Sequence, residues 1–328
     1  MIEGHGDDLY GKKDIRMNFS SNIYSSPGLK ALEKHLQHHL NLIRHYPPPA
    51  ATELEQLLAE EYGVEEQQVM VTSGATDAIY LIAQTFRDRH TFKVFPPTFS
   101  EYEDACRIFG YEESPGGALC WICNPNNPTG GVVNNNFICQ LSRQHKWVVV
   151  DQSYEDYTLE PMMSGKEAVK LGNVMQIRSL TKKFAIPGLR LGFVIASETV
   201  ISQLKTQYRP WAVNALAIEA GTWLINNHIH IIPDLENYLR QAQEFCLQLA
   251  QIEGINVIPS KTNFMLCTVR PQDASTLKDY LIREHHMLIR DASNFRGLTP
   301  HHFRISSQSV QENQALTRAI REFFVVSF

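Results

Sequence analysis

The stretch "RSLTKKFAIPGLRLGF", residues 178–193, places two lysines side by side between two apolar runs. Tandem lysines on a surface serve solubility, but a charge flanked by strand-like sequence has to be neutralised, paired or used. The runs on either side, "VMQIR" and "LRLGFVIAS", both read as strands. Upstream, "QQVMVTSG" leads into "ATDAIYLIAQTFRD", "TFKVFPPT" into "FSEYEDACRIFG", and "ALCWICNPNNPTG" into "NNNFICQLSRQ", with "KWVVVDQSY" following. Strands apolar on both faces that alternate with helices predict an α/β fold with a mostly parallel sheet covered by helices.

After residue 212 the rhythm changes. Two helical patterns, "AVNALAIEAGTWLINN" and "DLENYLRQAQEFCLQLAQIEG", precede the strand-like "INVIPS", "TNFMLCTV", "MLIRDA" and "HFRISS". Helices are expected over "DASTLKDYLIREHH" and "QENQALTRAIREFF". This segment reads as a smaller α+β domain. The expected division is a large domain over residues 41–231. An N-terminal arm, 1–40, joins 232–328 in the small domain.

A chain of 328 residues that is 43% hydrophobic can bury two such cores. The net charge of -5 offers no basic field for nucleic acid or an anionic membrane. No apolar run is long enough to span a bilayer, and "MIEGHGDDLYGKKD" lacks an apolar leader core, so a cytoplasmic protein is expected. The "CWIC" pair lies in a predicted buried strand, where residues three apart face opposite ways. Reduced thiols are therefore expected. The thirteen histidines include His38-His39, His285-His286 and His301-His302 but show no HExxH spacing; solvated or partly packed rings are expected, and no metal site.

Four features fall just after predicted strands, where open α/β sheets place their ligands. In "VTSGATDA", Ser73, Gly74, Ala75 and Thr76 link a strand to a helix N-terminus that favours an anion. In "NPNNPTGG", prolines and glycines fix a turn that presents Asn126 and Asn127. In "VVVDQSY", Asp151 ends a run of valines, where its carboxylate needs a cation or a strong donor, and Tyr154 follows. The fourth is the lysine pair. Together they ask for a ligand with a phosphate, a hydroxyl and a basic nitrogen, and for a lysine nucleophile. Pyridoxal phosphate meets all four demands.

"NPNNPTG", the Asp-x-x-Tyr at a strand end and "SLTKxFxxPGLRxG" resemble the fold-type I pyridoxal-phosphate enzymes of the aminotransferase class I/II group. The likeness runs over nearly the whole chain in order. It implies that group's fold, a large domain with a mostly parallel seven-stranded sheet under helices and a smaller α+β domain. In that family the Schiff-base lysine follows Ser-x-Thr and lies eight residues before a phosphate-binding arginine. Lys182 meets both conditions, with Ser179, Thr181 and Arg190 as the matching neighbours. Lys183, in an extended or irregular segment, would point the other way as a solvated neighbour. The resemblance implies that Gly74, Ala75, Thr76 and Arg190 take the phosphate. It further implies that Asp151 keeps the ring nitrogen protonated and that Asn127 and Tyr154 bond the phenolic oxygen. Phe99 in "PPTFSEY" falls where the family's stacking ring lies. Tyr46 in "RHYPPPA" resembles a tyrosine lent to the neighbouring subunit's cofactor, which implies a homodimer with shared active sites. Arg304 matches the family's carboxylate-binding arginine.

Two branches of the family handle phosphorylated amino compounds: threonine-phosphate decarboxylases of cobalamin synthesis and histidinol-phosphate aminotransferases. "EGHGDD", "NFSSNIY" and "LIRDASNFRGLTPHHFRIS" look like the decarboxylase pattern. There the two substrate arginines, like Arg290 and Arg304, lie fourteen residues apart. His5 and Asn22 fall where the decarboxylase arm closes over the substrate phosphate. "YSSPG" departs from that arm's pattern. The resemblance implies decarboxylation of L-threonine O-3-phosphate to (R)-1-aminopropan-2-yl phosphate through an external aldimine formed by displacement of Lys182. The alternative is transamination of a histidinol-phosphate-type substrate with 2-oxoglutarate. The fold also serves as a ligand-binding regulatory domain in some transcription factors, a remote alternative; with the likeness beginning almost at residue 1, an enzyme is expected.

Overall fold

The computed structural model describes residue 9, residues 14–24 and residues 29–326. Its strands are β1 (Met17–Asn18), β2 (Val69–Thr72), β3 (Thr91–Lys93), β4 (Glu112–Glu113), β5 (Leu119–Cys123), β6 (Trp147–Asp151), β7 (Val174–Arg178), β8 (Gly192–Ile195), β9 (Ile255–Val257), β10 (Phe264–Val269), β11 (Met287–Leu288), β12 (Arg290–Asp291) and β13 (His302–Ser306). The helices are α1 (Lys30–His38), α2 (Thr52–Tyr62), α3 (Gly74–Thr85), α4 (Glu101–Ile108), α5 (Asn135–Gln144), α6 (Gly165–Leu171), α7 (Leu180–Lys183), α8 (Glu198–Gln207), α9 (Ala215–Asn226), α10 (Leu235–Ala250), α11 (Ala274–His285) and α12 (Val310–Val326).

Seven strands form one sheet in the order β2-β8-β7-β6-β5-β3-β4. Residue alternation on its strands serves two different cores. Met70 and Val149 pack with Ile79 and Ile82 of α3, Tyr102 of α4 and Leu204 of α8. Val69 and Val71 face the other way, onto Leu54 of α2 and Leu224 of α9. Val148 and Val150 likewise meet Ile138 of α5 and Ala168 of α6. A sheet sandwiched in this way needs strands apolar on both faces, as their sequences show.

All neighbouring pairs are parallel except those of β8, which runs antiparallel to both β2 and β7. Strand direction leaves no mark in a doubly buried apolar run, so the "LRLGFVIAS" pattern does not show it. The reversal has a positional effect. A reversed strand starts where its neighbours end, so Arg190, two residues before β8, lies at the carboxyl ends of β2 and β7.

The second sheet has the order β12-β13-β10-β9 and is antiparallel throughout. Met265, Cys267 and Ile305 pack against Phe245 of α10, Leu281 of α11 and Ile320 of α12. Strand β1 pairs in parallel with β11, and the fully buried Phe19 joins this second core. Helix α1 instead packs against α9, with Leu32 in the core beneath the large sheet.

The "CWIC" thiols behave as expected of a strand. Cys120 and Cys123 enter different cores, burial pushes each up to about 12, and all six cysteines are free. Among the described residues no helix is long and apolar enough to cross a membrane.

Gly192 is where β8 meets the start of α3. A Cβ there would sit 2.8 Å from the Ala75 nitrogen, the Arg178 oxygen and the Gly74 carbonyl carbon, all backbone. Backbone cannot swing aside as a side chain can. Gly192→Ala is expected to destabilise the fold by roughly 1–3 kcal/mol, as overpacking does. Denaturant titration of the variant would measure it.

Candidate active site

The carboxyl ends of β2, β5, β6 and β7 open into a cavity of about 450 Å³, closed from the other side by the four-stranded sheet and the segment 20–22. Asn22, Ala75, Thr76, Phe99, Asn127, Asp151, Tyr154, Ser179, Thr181, Lys182, Arg190, Arg290 and Arg304 all line it. These come from at least seven stretches of chain separated in sequence. Three expected site residues are not on that wall. Gly74 lies just behind it, against Arg190. Tyr46 is 86% exposed and packs its ring 5.4 Å from that of Trp211. His5 lies outside the described residues.

Asp151 ends β6 and is only 3% exposed. Its Oδ1 accepts from the Ser153 amide at 2.9 Å and the Ser153 hydroxyl at 2.5 Å, and its Oδ2 accepts from the Tyr102 hydroxyl at 2.8 Å. Burial pushes the carboxyl above its ordinary range, opposed by these donors and by the charge of Lys182. A cation placed against it would restore the charged form. Tyr102 itself is stacked on Trp121 at 5.3 Å and 11°, so the donor is rigidly aimed. Phe99, edge-on to Tyr102 at 5.7 Å, is half-buried and turns part of its ring to the cavity.

Lys182 lies in α7, a single helical turn rather than the expected extended segment. Successive residues on a helix point about 100° apart, and this separates the lysines. Lys182 Nζ reaches into the cavity, 5.6 Å from the Tyr154 ring centre. Lys183 points behind it and pairs with Glu61, near the Tyr62 hydroxyl. Its side chain is 14% exposed, so the expectation of a solvated neighbour is corrected: Lys183 is a largely buried ion-pair partner.

At the other end of the cavity α3 begins. Gly74 has φ +83°, which L-residues rarely adopt, and a Cβ there would lie 2.7 Å from an Arg190 guanidinium nitrogen. The missing side chain therefore lets the arginine reach the helix N-terminus. Amide groups of the first turn and a guanidinium converge there, an arrangement suited to a phosphate.

The side facing the small sheet is also cationic. Arg290 of β12 and Arg304 of β13 are register partners on adjacent antiparallel strands, and each is 6% exposed. Residues directly opposite in such a pair share a face of the sheet. Arg304 donates to Asn127 Oδ1 at 2.5 Å and to the Ser20 carbonyl at 2.6 Å, while Arg290 donates to Asn294 Oδ1 at 3.2 Å. Asn22 is 1% exposed and donates to the Tyr154 hydroxyl at 3.5 Å. Its Oδ1 is buried with no partner among the described residues. Burial pushes the Tyr154 hydroxyl up to about 12, opposed by the charge of Arg304.

Comparison with known proteins agrees with this geometry. The family model for aminotransferase class I and II matches residues 14–115 and 110–323. The chain belongs to that family. It is a pyridoxal-phosphate-dependent enzyme. The crystal structure of L-threonine-O-3-phosphate decarboxylase from Porphyromonas gingivalis superimposes with a TM-score of 0.89 at 36% identity, covering 94% of this chain and 99% of that one. Threonine-phosphate decarboxylase of Salmonella typhimurium is 26% identical over 94% of this chain and 91% of its own. Histidinol-phosphate aminotransferase of Thermoanaerobacter pseudethanolicus is 28% identical over 85% of this chain and 84% of its own. The cavity fits the family's cofactor in three ways: a Cβ-free cradle at Gly74, a buried carboxyl at Asp151 that a ring cation would satisfy, and a lysine between them.

Sequence reasoning missed Tyr102 and Ser153, which hold Asp151. Ser153 follows Asp151 by two residues, a spacing at which side chain and backbone can both bond a carboxylate. No signal of that kind links Tyr102 to a residue 49 positions away.

The two lysines can be told apart directly. Borohydride reduction of the loaded protein followed by peptide mapping is expected to label Lys182. Lys182→Ala should abolish the label, and Lys183→Ala should keep it while lowering the thermal midpoint through the broken pair with Glu61. Label on Lys183 alone would reverse the assignment.

Proposed function

We propose that this enzyme decarboxylates a small phosphorylated amino acid, L-threonine O-3-phosphate or a near analogue. The observation that carries the proposal is the in-register pair Arg290 and Arg304, buried on the cavity wall and separate from Arg190. A substrate bearing both a carboxylate and a phosphate supplies two anions for these two forks, since planar guanidinium groups match both oxyanion types. The likeness to decarboxylases of that substrate, at 36% identity in one structure, supports the same reading.

The cofactor supplies a protonated ring that accepts the electron pair released at the substrate's Cα. Asp151 would hold the proton on the ring nitrogen, with Tyr102 and Ser153 holding Asp151. The first turn of α3 and Arg190 would bind the phosphate. Asn127 and Tyr154 would bond the phenolic oxygen, and Phe99 would cover one ring face. Arg290 and Arg304 would orient the substrate. That orientation decides the reaction: only the Cα bond held perpendicular to the ring breaks readily, and for decarboxylation that is the bond to the carboxylate. Carbon dioxide would leave, and Lys182 Nζ, which faces the cavity, would deliver a proton to Cα.

Transamination of a histidinol-phosphate-type substrate is the second reading, favoured by relatives of that activity at 28% identity. Incubation with O-phospho-L-threonine, and separately with histidinol phosphate and 2-oxoglutarate, separates the two by release of CO₂ or of glutamate. The decarboxylase reading predicts CO₂. Arg290→Ala is expected to cost roughly 2–5 kcal/mol in kcat/KM for phosphothreonine, as truncation of a buried charged contact does. The loss should be much smaller for unphosphorylated threonine. An unchanged ratio between the two substrates would remove Arg290 from the site.

We further propose a homodimer with shared sites. Tyr46 and Trp211, exposed at 86% and 50% with rings 5.4 Å apart, form an aromatic patch suited to a partner surface. Tyr46 would reach the neighbouring subunit's cofactor phosphate. Mixing the inactive variants Lys182→Ala and an impaired Tyr46→Phe is expected to restore part of the activity, because one site in each hybrid dimer regains both residues. A fully active monomer in sedimentation would exclude the arrangement.

A further inference from the structure

Away from the cavity, two histidines and a carboxylate converge between α1 and α9. His35 and His39 lie four residues apart, one helical turn, and so share a face. Glu219 reaches them from α9, with Oε1 at 2.6 Å from His35 Nε2 and 3.9 Å from His39 Nε2. The donor atoms of all three residues lie within 4.8 Å of one another. Their side chains are 20%, 40% and 29% exposed, enough for an ion to enter. We propose that His35, His39 and Glu219 bind a divalent transition-metal ion of the zinc class and so clamp α1 to α9.

Three features beyond proximity support a ligand set. The Nδ1 of His39 lies 2.8 Å from the His35 carbonyl oxygen. An Nδ1–H held by a backbone carbonyl leaves Nε2 as the lone-pair donor and fixes the ring, the usual outer support of a metal-bound histidine. The His35 ring is stacked on Trp223 at 5.3 Å and 29°, one turn along α9 from Glu219, so it too is oriented. Two nitrogens and one carboxylate oxygen suit Zn²⁺, with water in the fourth position. Donors around a tetrahedral zinc stand about 3.3 Å apart, from bonds of about 2 Å. The present separations, 2.6 and 3.9 Å to Glu219 and all within 4.8 Å, bracket that spacing. No metal motif announces the set, because its third member lies 180 positions from His39.

The metal-free alternative is a plain ion pair between protonated His35 and Glu219. Calorimetric titration of the cofactor-loaded, metal-stripped protein with Zn²⁺ separates the two. The proposal expects one site per chain that weakens at least about tenfold in His39→Ala and in Glu219→Gln. It also expects Zn²⁺ to raise the thermal midpoint of the wild type, by binding the folded state, and not that of His39→Ala. Ni²⁺, whose open d shell quenches a nearby indole, should quench emission in the wild type and much less in Trp223→Phe. His39 is the most exposed of the three, so its truncation leaves a folded protein to measure even where changes at His35 do not. Equal zinc affinity in the wild type and His39→Ala, or a midpoint shift that survives in His39→Ala, would overturn the site.

Discussion

The arrangement of the large sheet turns on one buried carboxylate. Asp151 sits at the tip of a central strand, where desolvation opposes its charge, and it stays there because Ser153 and Tyr102 bring three donors to its two oxygens. Each donor depends on a neighbour: Ser153 on the turn after β6, Tyr102 on its stack against Trp121 inside the α3–α4 core. The core is thus built partly to present an acid to the cavity. An apolar residue at the tip of β6 would spare the fold a desolvation penalty, so the acid is retained for what it faces.

Much of this is legible because the cavity-lining residues sit at strand ends, and strand ends can be read. The apolar runs locate β2, β5, β6 and β7, and the polar residues just past them are those lining the cavity. The interval from Lys182 to Arg190 separates the two lysines, and Lys183 does point the other way, but a helical turn rather than an extended or irregular segment sends it to Glu61. What could not be read needed distance or direction. The reversal of β8 leaves no trace in residues buried on both faces. Tyr102 and Glu219 act on residues remote in sequence, and no periodicity connects them. Short, polar helices such as α6, with only Gly165 and Ala168 buried, lack an apolar stripe to betray them.

The two sheets meet through Arg304. Its guanidinium belongs to the small sheet by backbone, bonds Asn127 of the large one, and bonds the Ser20 carbonyl of the N-terminal segment. Three parts of the chain distant in sequence are therefore registered by one planar group. Serine 306, two residues on, repeats the link by donating to the Phe19 and Ser21 carbonyls. Segment 19–21 is held against β13 over its length, which makes it a wall of the cavity rather than a loose end.

The separation of the two cationic clusters has an evolutionary corollary. Arg190 and Gly74 are locked to the seven-stranded sheet by the close approach of β8 and α3, where even a methyl group at Gly192 has no room. Arg290 and Arg304 stand on a different sheet with its own core. Side chains on β12 can thus vary without disturbing the close approach of β8 and α3, whereas Arg304 of β13 stays tied to both sheets. A scaffold divided in this way diversifies readily.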